Sequence, residues 1–381
     1  MRKRLALATV FCGTIAAALM QTLLTMSLPE VSSEINAGRW YGWISGVYIA
    51  SSTLFIPFAV KLLGIFGPRR IYSAAMLIWL AGTIWVASSG GALEIILARV
   101  VQGAGTAGLV PAGMEAASVV VGAQFGRFVS AMAAVQSVSI ALGAPLGGLL
   151  SGPLGWRKTL WAISGLMFLA LLIGACAIPR ATSSDEEQIT WREIWNTSAA
   201  KMTVAHSTLF AAVYFGLATF VPLLLQAKYF FGTSRISLFV LPILLGSAIG
   251  AMTVNKLGYS WSRLPLAWVV SAIGCGIVLI PSALFVAVGG AIASIGVGAG
   301  LTILLLTLKD DLHGSASAAS GMIQAARNTG GAVSAVLLTL PIQLGASNEH
   351  AAIFACSTLT VVAVGSLTSS ALNAFCSPSH R

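Results

Sequence analysis

Carboxylates are what this sequence has least of: 381 residues carry 11 Asp and Glu against 21 Lys and Arg. Four of the acids (Glu30, Glu34, Glu94, Glu349) sit at one set of ends of the apolar runs, and six (Asp185, Glu186, Glu187, Glu193, Asp310, Asp311) at the other. Glu115 alone approaches the inside of a run. With no carboxylate pair at a shared depth and no nucleophile beside a base, the chain offers no catalytic constellation, so an enzyme is not expected. Five scattered cysteines (Cys12, Cys176, Cys275, Cys356, Cys376) show no CxxC or metal-ligand spacing, which argues against a zinc site and a disulfide framework. No metal or cofactor is expected. Basic residues never interleave with aromatics on a polar module, so the net charge of +10 does not indicate nucleic acid.

What remains is apolar. The sequence is 57% hydrophobic and 8% charged, with a mean hydropathy of +0.90, more than a soluble core of this length can hide. The apolar residues come in runs of about 20, the length that crosses a hydrocarbon core of about 30 Å as a helix. They lack the alternation of a barrel strand. Spans are predicted near 5–28, 41–63, 70–89, 93–114, 126–151, 158–178, 202–227, 235–255, 264–283, 285–308, 315–341 and 350–373. The first run extends to Leu28, too far for a cleavable signal, and reads as an uncleaved span. The expected fold is an all-α membrane protein of twelve transmembrane helices.

Charge placement tests that register. Fourteen Lys and Arg fall in segments predicted to be inside, and five (Arg39, Arg157, Lys158, Lys228, Arg235) outside; Arg99 and Arg327 lie within spans. This asymmetry puts both termini in the cytoplasm. One long polar stretch, 179–201, separates an N-terminal bundle (1–178) from a C-terminal bundle (202–381). Its Trp191, Ile194 and Trp195 suit either an interfacial helix or a solvated linker. The halves repeat: Val135-Gln136 precedes Gly143-Ala144 by the step that separates Ile323-Gln324 from Gly331-Ala332, and Lys61–Arg70 is mirrored by Lys256–Arg263. Two pseudo-symmetric six-helix bundles that bind a small molecule near the midplane are the expectation.

Four segments resemble the major facilitator superfamily, and within it the drug:proton antiporter branches. Lys61-Leu62-Leu63-Gly64-Ile65-Phe66-Gly67-Pro68-Arg69-Arg70 is similar to the family's loop after the second span, with Gly64 at the aspartate position and Ile65 at the arginine. Arg99-Val100-Val101-Gln102-Gly103-Ala104-Gly105 resembles its R-x-x-q-G-x-g signature, associated with proton movement. Gly143-Ala144-Pro145-Leu146-Gly147-Gly148 is similar to G-P-x-x-G-G, with the proline one step late. Gln324-Ala325-Ala326-Arg327-Asn328-Thr329-Gly330-Gly331 resembles the N-x-x-R-Q-x-G-G stretch of multidrug exporters. In the first span, Met20 and Thr25 stand where the family places an acid and an asparagine.

The resemblance implies proton-coupled export by alternating access in a bacterial inner membrane, from a protein expected to be monomeric. The residues qualify it. With Arg327 and Arg99 supplying charge, Gln21, Thr25, Gln102, Gln136, Gln324 and Asn328 hydrogen bonds, and Tyr214 apolar surface, the substrate is expected to be anionic, zwitterionic or neutral. Arg327, near mid-depth, is too deep to reach the interface and should face a cavity or a partner. Gly64, Arg69, Arg70 and Glu115 would serve gating, and Gly143, Pro145, Gly147 and Gly148 close packing. His206 reads as an interfacial bystander. Import, uncoupled facilitation and a non-transporting receptor are the competing readings.

Overall fold

The computed structural model describes residues 2–34, 41–174, 177–179, 197–231, 233–312, 315–343 and 347–376, and every regular element among them is helical. The first run of helices is α1 (Arg2–Glu34), α2 (Tyr41–Ser88), α3 (Ala92–Val121), α4 (Phe125–Leu154) and α5 (Trp156–Gly174). Then follow α6 (Ser198–Tyr229), α7 (Thr233–Leu257), α8 (Leu264–Val278), α9 (Ala283–Asp311), α10 (Ala316–Gln343) and α11 (Asn348–Cys376). Trp191, Ile194 and Trp195 lie outside the described residues. Seven described stretches are long and apolar enough to cross a membrane. Leu54, Phe58, Leu93, Leu166, Leu172 and Val361 are all exposed, as side chains bathed by lipid would be.

α2 is 48 residues long, about 72 Å of helix and more than twice a hydrocarbon core. It breaks where the sequence reads Phe66-Gly67-Pro68. Gly67 takes φ 77, ψ 164, open to a residue without Cβ, and Pro68 withholds a backbone donor. The turn therefore rests on Gly67, while Gly64 is exposed with open space where a side chain would be.

The helices form two compact units. One comprises Met1–Phe128, Val138–Ile194 and Leu312–Ala325; the other Val129–Ser137, Trp195–Asp311 and Ala326–Arg381. In the first, α3 packs on both parts of α2. A Cβ on Gly103 would sit 2.6 Å from the Tyr48 carbonyl and 2.9 Å from Ser51 Cβ, and one on Gly82 would meet the Gln102 backbone at 2.6 Å. Backbones this close gain dispersion and hydrogen bonding, which lipid leaves as the forces between helices. In the second, α9 is the central helix, with Gly289, Gly290, Gly296, Gly298 and Gly300 all buried. A Cβ on Gly289 would meet the Gly274 carbonyl of α8 at 2.7 Å.

One end of the first unit is tied by a polar knot. Trp156 Nε1 donates to Glu34 Oε2 at 2.6 Å and Arg157 Nε to Oε1 at 3.1 Å. Arg157 Nη1 also donates to the carbonyls of Ala87 and Ser89, at 3.0 and 2.7 Å. The Trp156 hydrogen bond, with help from Arg157, holds the Glu34 carboxyl below the usual carboxylate value.

Two expectations follow. Gly103→Leu lowers the thermal stability of purified protein by about 1–3 kcal/mol through overpacking, whereas Gly46→Leu, with open space around it, leaves the melting temperature unchanged. Because Glu34 is depressed, its contribution is present above the ordinary carboxylate pKa of about 4.3 and fades as pH falls through its lower folded value. Glu34→Gln thus lowers the melting temperature at neutral pH, and the difference closes as wild type and variant are titrated towards about pH 3.

Candidate functional site

α10 begins with small residues, Ala316-Ser317-Ala318-Ala319-Ser320-Gly321, and its single cation follows at Arg327. That is eleven residues from the helix start, about 16 Å along the axis. Gly330 and Gly331 press α10 against α6, where a Cβ on Gly331 would meet Phe215 Cδ2 at 2.9 Å. This contact fixes the height at which Arg327 is presented.

Four helices of the second unit converge there. Arg327 Nη1 donates to Gln136 Oε1 of α4 at 3.2 Å. The next residue, Ser137, shares a 2.8 Å hydrogen bond with Ser247 of α7. Tyr214 of α6, 5% exposed, brings its hydroxyl beside Ser247 and Ser137 and lies within electrostatic range of Arg327. Ser130 secures α4 to α7 by donating to the Ala251 carbonyl at 2.6 Å. The phenol of Tyr214 is the ionisable group acting on Arg327 among the described residues, and no carboxylate does so. Arg327 itself stays partly exposed. The product is a cationic, hydroxyl-rich and amide-rich surface, suited to an acceptor-bearing solute.

Arg99 has a different environment. It is 1% exposed, its Nε donating to the Ile44 carbonyl at 3.0 Å and its Nη1 to Gln102 Oε1 at 2.5 Å. Gln102 passes the chain on to Thr83 at 2.8 Å. The guanidinium carbon sits 4.1 Å over the Tyr48 ring, whose hydroxyl meets Thr106 at 2.9 Å. A carbonyl, an amide and a π face replace water around the charge, with no carboxylate partner among the described residues. Arg99 neither snorkels nor lines an opening; it ties α2 to α3 from within.

Glu115, 4% exposed, accepts the backbone N–H of Ser317 at 3.1 Å. Ser317 is the second residue of α10, so the carboxylate serves the orphan donors and positive end of that helix. Arg70 and Arg127 are exposed, Arg69 is partly exposed, and Gly321 packs α10 on Ile56 and Val60 beside this bond.

Of the residues singled out from the sequence, the structure thus gathers Arg327, Gln136 and Tyr214. Asn328 is partly buried one position beyond Arg327, while Gln21 and Gln324 belong to the first unit. Gly143 is buried in α4; the surroundings of Pro145, Gly147 and Gly148, and the side chain of Thr25, lie outside the described residues. Ser137 and Ser247 were missed. Ser137 directly follows Gln136, a usable hint, but nothing around Ser247 in the sequence marks it.

The two arginines respond differently to substitution. Arg99→Ala leaves a cavity and buried acceptors unmet, so it lowers stability by an amount on the order of 3 kcal/mol. Arg327→Gln stays within about 1 kcal/mol of wild type because a partly exposed group with neutral partners is removed. Thermal denaturation of both purified variants measures the contrast.

The geometry can be set beside known proteins. The family model described as Major Facilitator Superfamily matches residues 10–335. An MFS-type transporter of Mycobacterium tuberculosis is 25% identical over 234 residues, 61% of this chain and 34% of that protein. The efflux pump dotC of Dothistroma septosporum is 28% identical over 159 residues, covering 40% of this chain and 27% of its own. The multidrug transporter protein MdtP of Bacillus subtilis is 24% identical over 162 residues, 42% of this chain and 29% of its own. The chain therefore spans about a third of the length of these relatives. Each of these relatives is named as a transporter or an efflux pump. With a family match over most of its length, and an all-helical, lipid-facing structure, the chain belongs to the Major Facilitator Superfamily.

Proposed function

We propose that this protein is a secondary transporter that exports a small anionic, zwitterionic or neutral organic solute by alternating access, driven by protons. The reading includes twelve spans in two six-helix bundles (1–178 and 202–381, joined by 179–201), both termini in the cytoplasm, a monomer, and a bacterial inner membrane. The observation that carries it is Arg327. A guanidinium deep in a span costs about 2.5–3.5 kcal/mol or more unless it is used or satisfied, and this one remains partly exposed among neutral hydrogen-bonding groups. Export as the direction is supported by the relatives named as an efflux pump and a multidrug transporter.

In this mechanism Arg327 attracts the acceptor groups of the solute, with Gln136 releasing its hydrogen bond to make way. Tyr214 offers ring surface and Ser137 and Ser247 hydroxyls. Glu115, by capping the start of the same helix, acts as the cytoplasmic latch that must let go when α10 moves. That no carboxylate among the described residues acts on Arg327 favours one second reading, facilitated passage without proton coupling.

Proteoliposomes loaded with norfloxacin (zwitterionic), carboxyfluorescein (anionic) or ethidium (cationic) test both. Transport of the first two in preference to ethidium is expected, accelerated by an imposed pH gradient. Arg327→Gln is expected to reduce their transport by about 10–100-fold, the worth of one charge-assisted hydrogen bond. Preference for ethidium, or a variant as active as wild type, defeats the assignment, and a rate indifferent to the gradient selects facilitation.

A further inference from the structure

The mechanism above lacks a place for the proton, because Met20 and Gly64 stand where the family's acids would be. The second unit contains a buried titratable group that the solute site does not use. His206 is the ninth residue of α6, about 12 Å from the helix start, and only 4% exposed. Trp268 of α8, with no exposure at all, donates its indole N–H to His206 Nδ1 at 3.1 Å. An indole nitrogen can only donate, so Nδ1 must carry the lone pair and the neutral ring carries its hydrogen on Nε2. No acceptor for that Nε2–H is found among the described residues.

His206 also lines a cleft of about 300 Å³, bordered by Met202 and Leu209 on its own helix and by Val362, Gly365 and Ser366 of α11. The groups set against the imidazole are thus Trp268 from α8, which donates to it, and Ser366 from α11, which shares the cleft. Neither is charged, and no charged group among the described residues acts on it. Thr203 Oγ1 and Ser207 Oγ are buried with no hydrogen-bond partner, an expensive arrangement that calls for an explanation.

We propose that His206 is the proton-accepting residue of the transport cycle and that the cleft between α6 and α11 is its access route; this rests on the proton-coupled reading above. A proton from water adds to the Nδ1 lone pair, forming an imidazolium with N–H on both nitrogens. The Trp268 N–H···Nδ1 bond breaks, since two donors then face each other. The imidazolium N–H groups turn to the cleft, where water and the Ser366 hydroxyl, whose own hydrogen goes to the Val362 carbonyl, accept them. The indole cannot yield alone: it stacks on Phe210 at 3.7 Å and 7°, and Phe210 in turn lies against Gly300 of α9. Protonation of one ring therefore shifts α6, α8 and α9 against one another, within the unit that presents Arg327.

The test begins with the full chain in lipid nanodiscs, where tryptophan fluorescence is followed from about pH 8 to about pH 5, the range in which histidine titrates. A protonated imidazole quenches an adjacent indole, so wild type shows a single-proton quenching transition. His206→Asn retains an acceptor for Trp268 but does not titrate, and Trp268→Phe removes the reporter; both lose the transition. A flat wild-type curve, or an unchanged transition in His206→Asn, overturns the proposal. In proteoliposomes, wild type accumulates norfloxacin against its gradient, about tenfold per pH unit for one coupled proton. His206→Asn keeps norfloxacin exchange at equal pH but loses accumulation, and accumulation at the wild-type level refutes the proton role. A wild-type protein that moves norfloxacin in neither mode counts against the export reading, and the fluorescence titration then decides the His206 site alone.

Discussion

A positive charge inside hydrocarbon must find protein partners, and the arrangement of this molecule follows from how two arginines meet that demand. Arg99 is enclosed by the Ile44 carbonyl, the Gln102 amide and the Tyr48 ring. Every donor spent there is a tie between α2 and α3, so the charge has become an internal brace. Arg327 has one amide at 3.2 Å and a neighbouring phenol, and keeps part of its surface open. The same side chain is structural in one setting and available in the other because the first is enclosed, 1% exposed, and the second is not.

Such coordination requires helices to approach more closely than large side chains allow. Glycine supplies that approach at Gly82 and Gly103 around Arg99, and at Gly330 and Gly331 beside Arg327. In lipid there is little hydrophobic gain from bringing helices together, so short backbone distances and interhelical hydrogen bonds hold the units. Bonds such as Ser130 to Ala251 and Ser137 to Ser247 do this work in the second unit. That unit also holds buried hydroxyls without partners, at Thr203, Ser207, Ser294 and Ser334. These are polar groups that a single fixed packing leaves unsatisfied, several of them on α6 and α10, the helices that carry Tyr214 and Arg327.

Much of the site was readable because charge is rare enough here to be informative. Arg327 stood out by depth alone, and Glu115 by being the one acid near the inside of a span. Its bond to the backbone of Ser317 was not readable, because a backbone N–H is a group nearly every residue possesses. Gln102 and Gln136 looked alike in the sequence. One is sealed in a chain to Thr83 and the other faces Arg327, a difference set by which helix lies opposite. His206 seemed a bystander because a lone histidine near a helix end carries no signal until Trp268, 62 residues away, is found against it.

The sequence by itself determined that the chain is helical, lies in a membrane and carries the family's marks, since hydrophobic length, scarce charge and local motifs are properties of contiguous residues. It also placed a break between residues 63 and 70, because the apolar run is interrupted there; the structure puts that break at Gly67. Only the tertiary structure decided which arginine is sealed and which is open, that Tyr214 lies beside the Ser137–Ser247 pair, and that an indole pins the histidine. Those outcomes depend on side chains from distant helices meeting at one depth. Spacing along the chain does not encode that depth, because it is set by how closely each pair of backbones can pack.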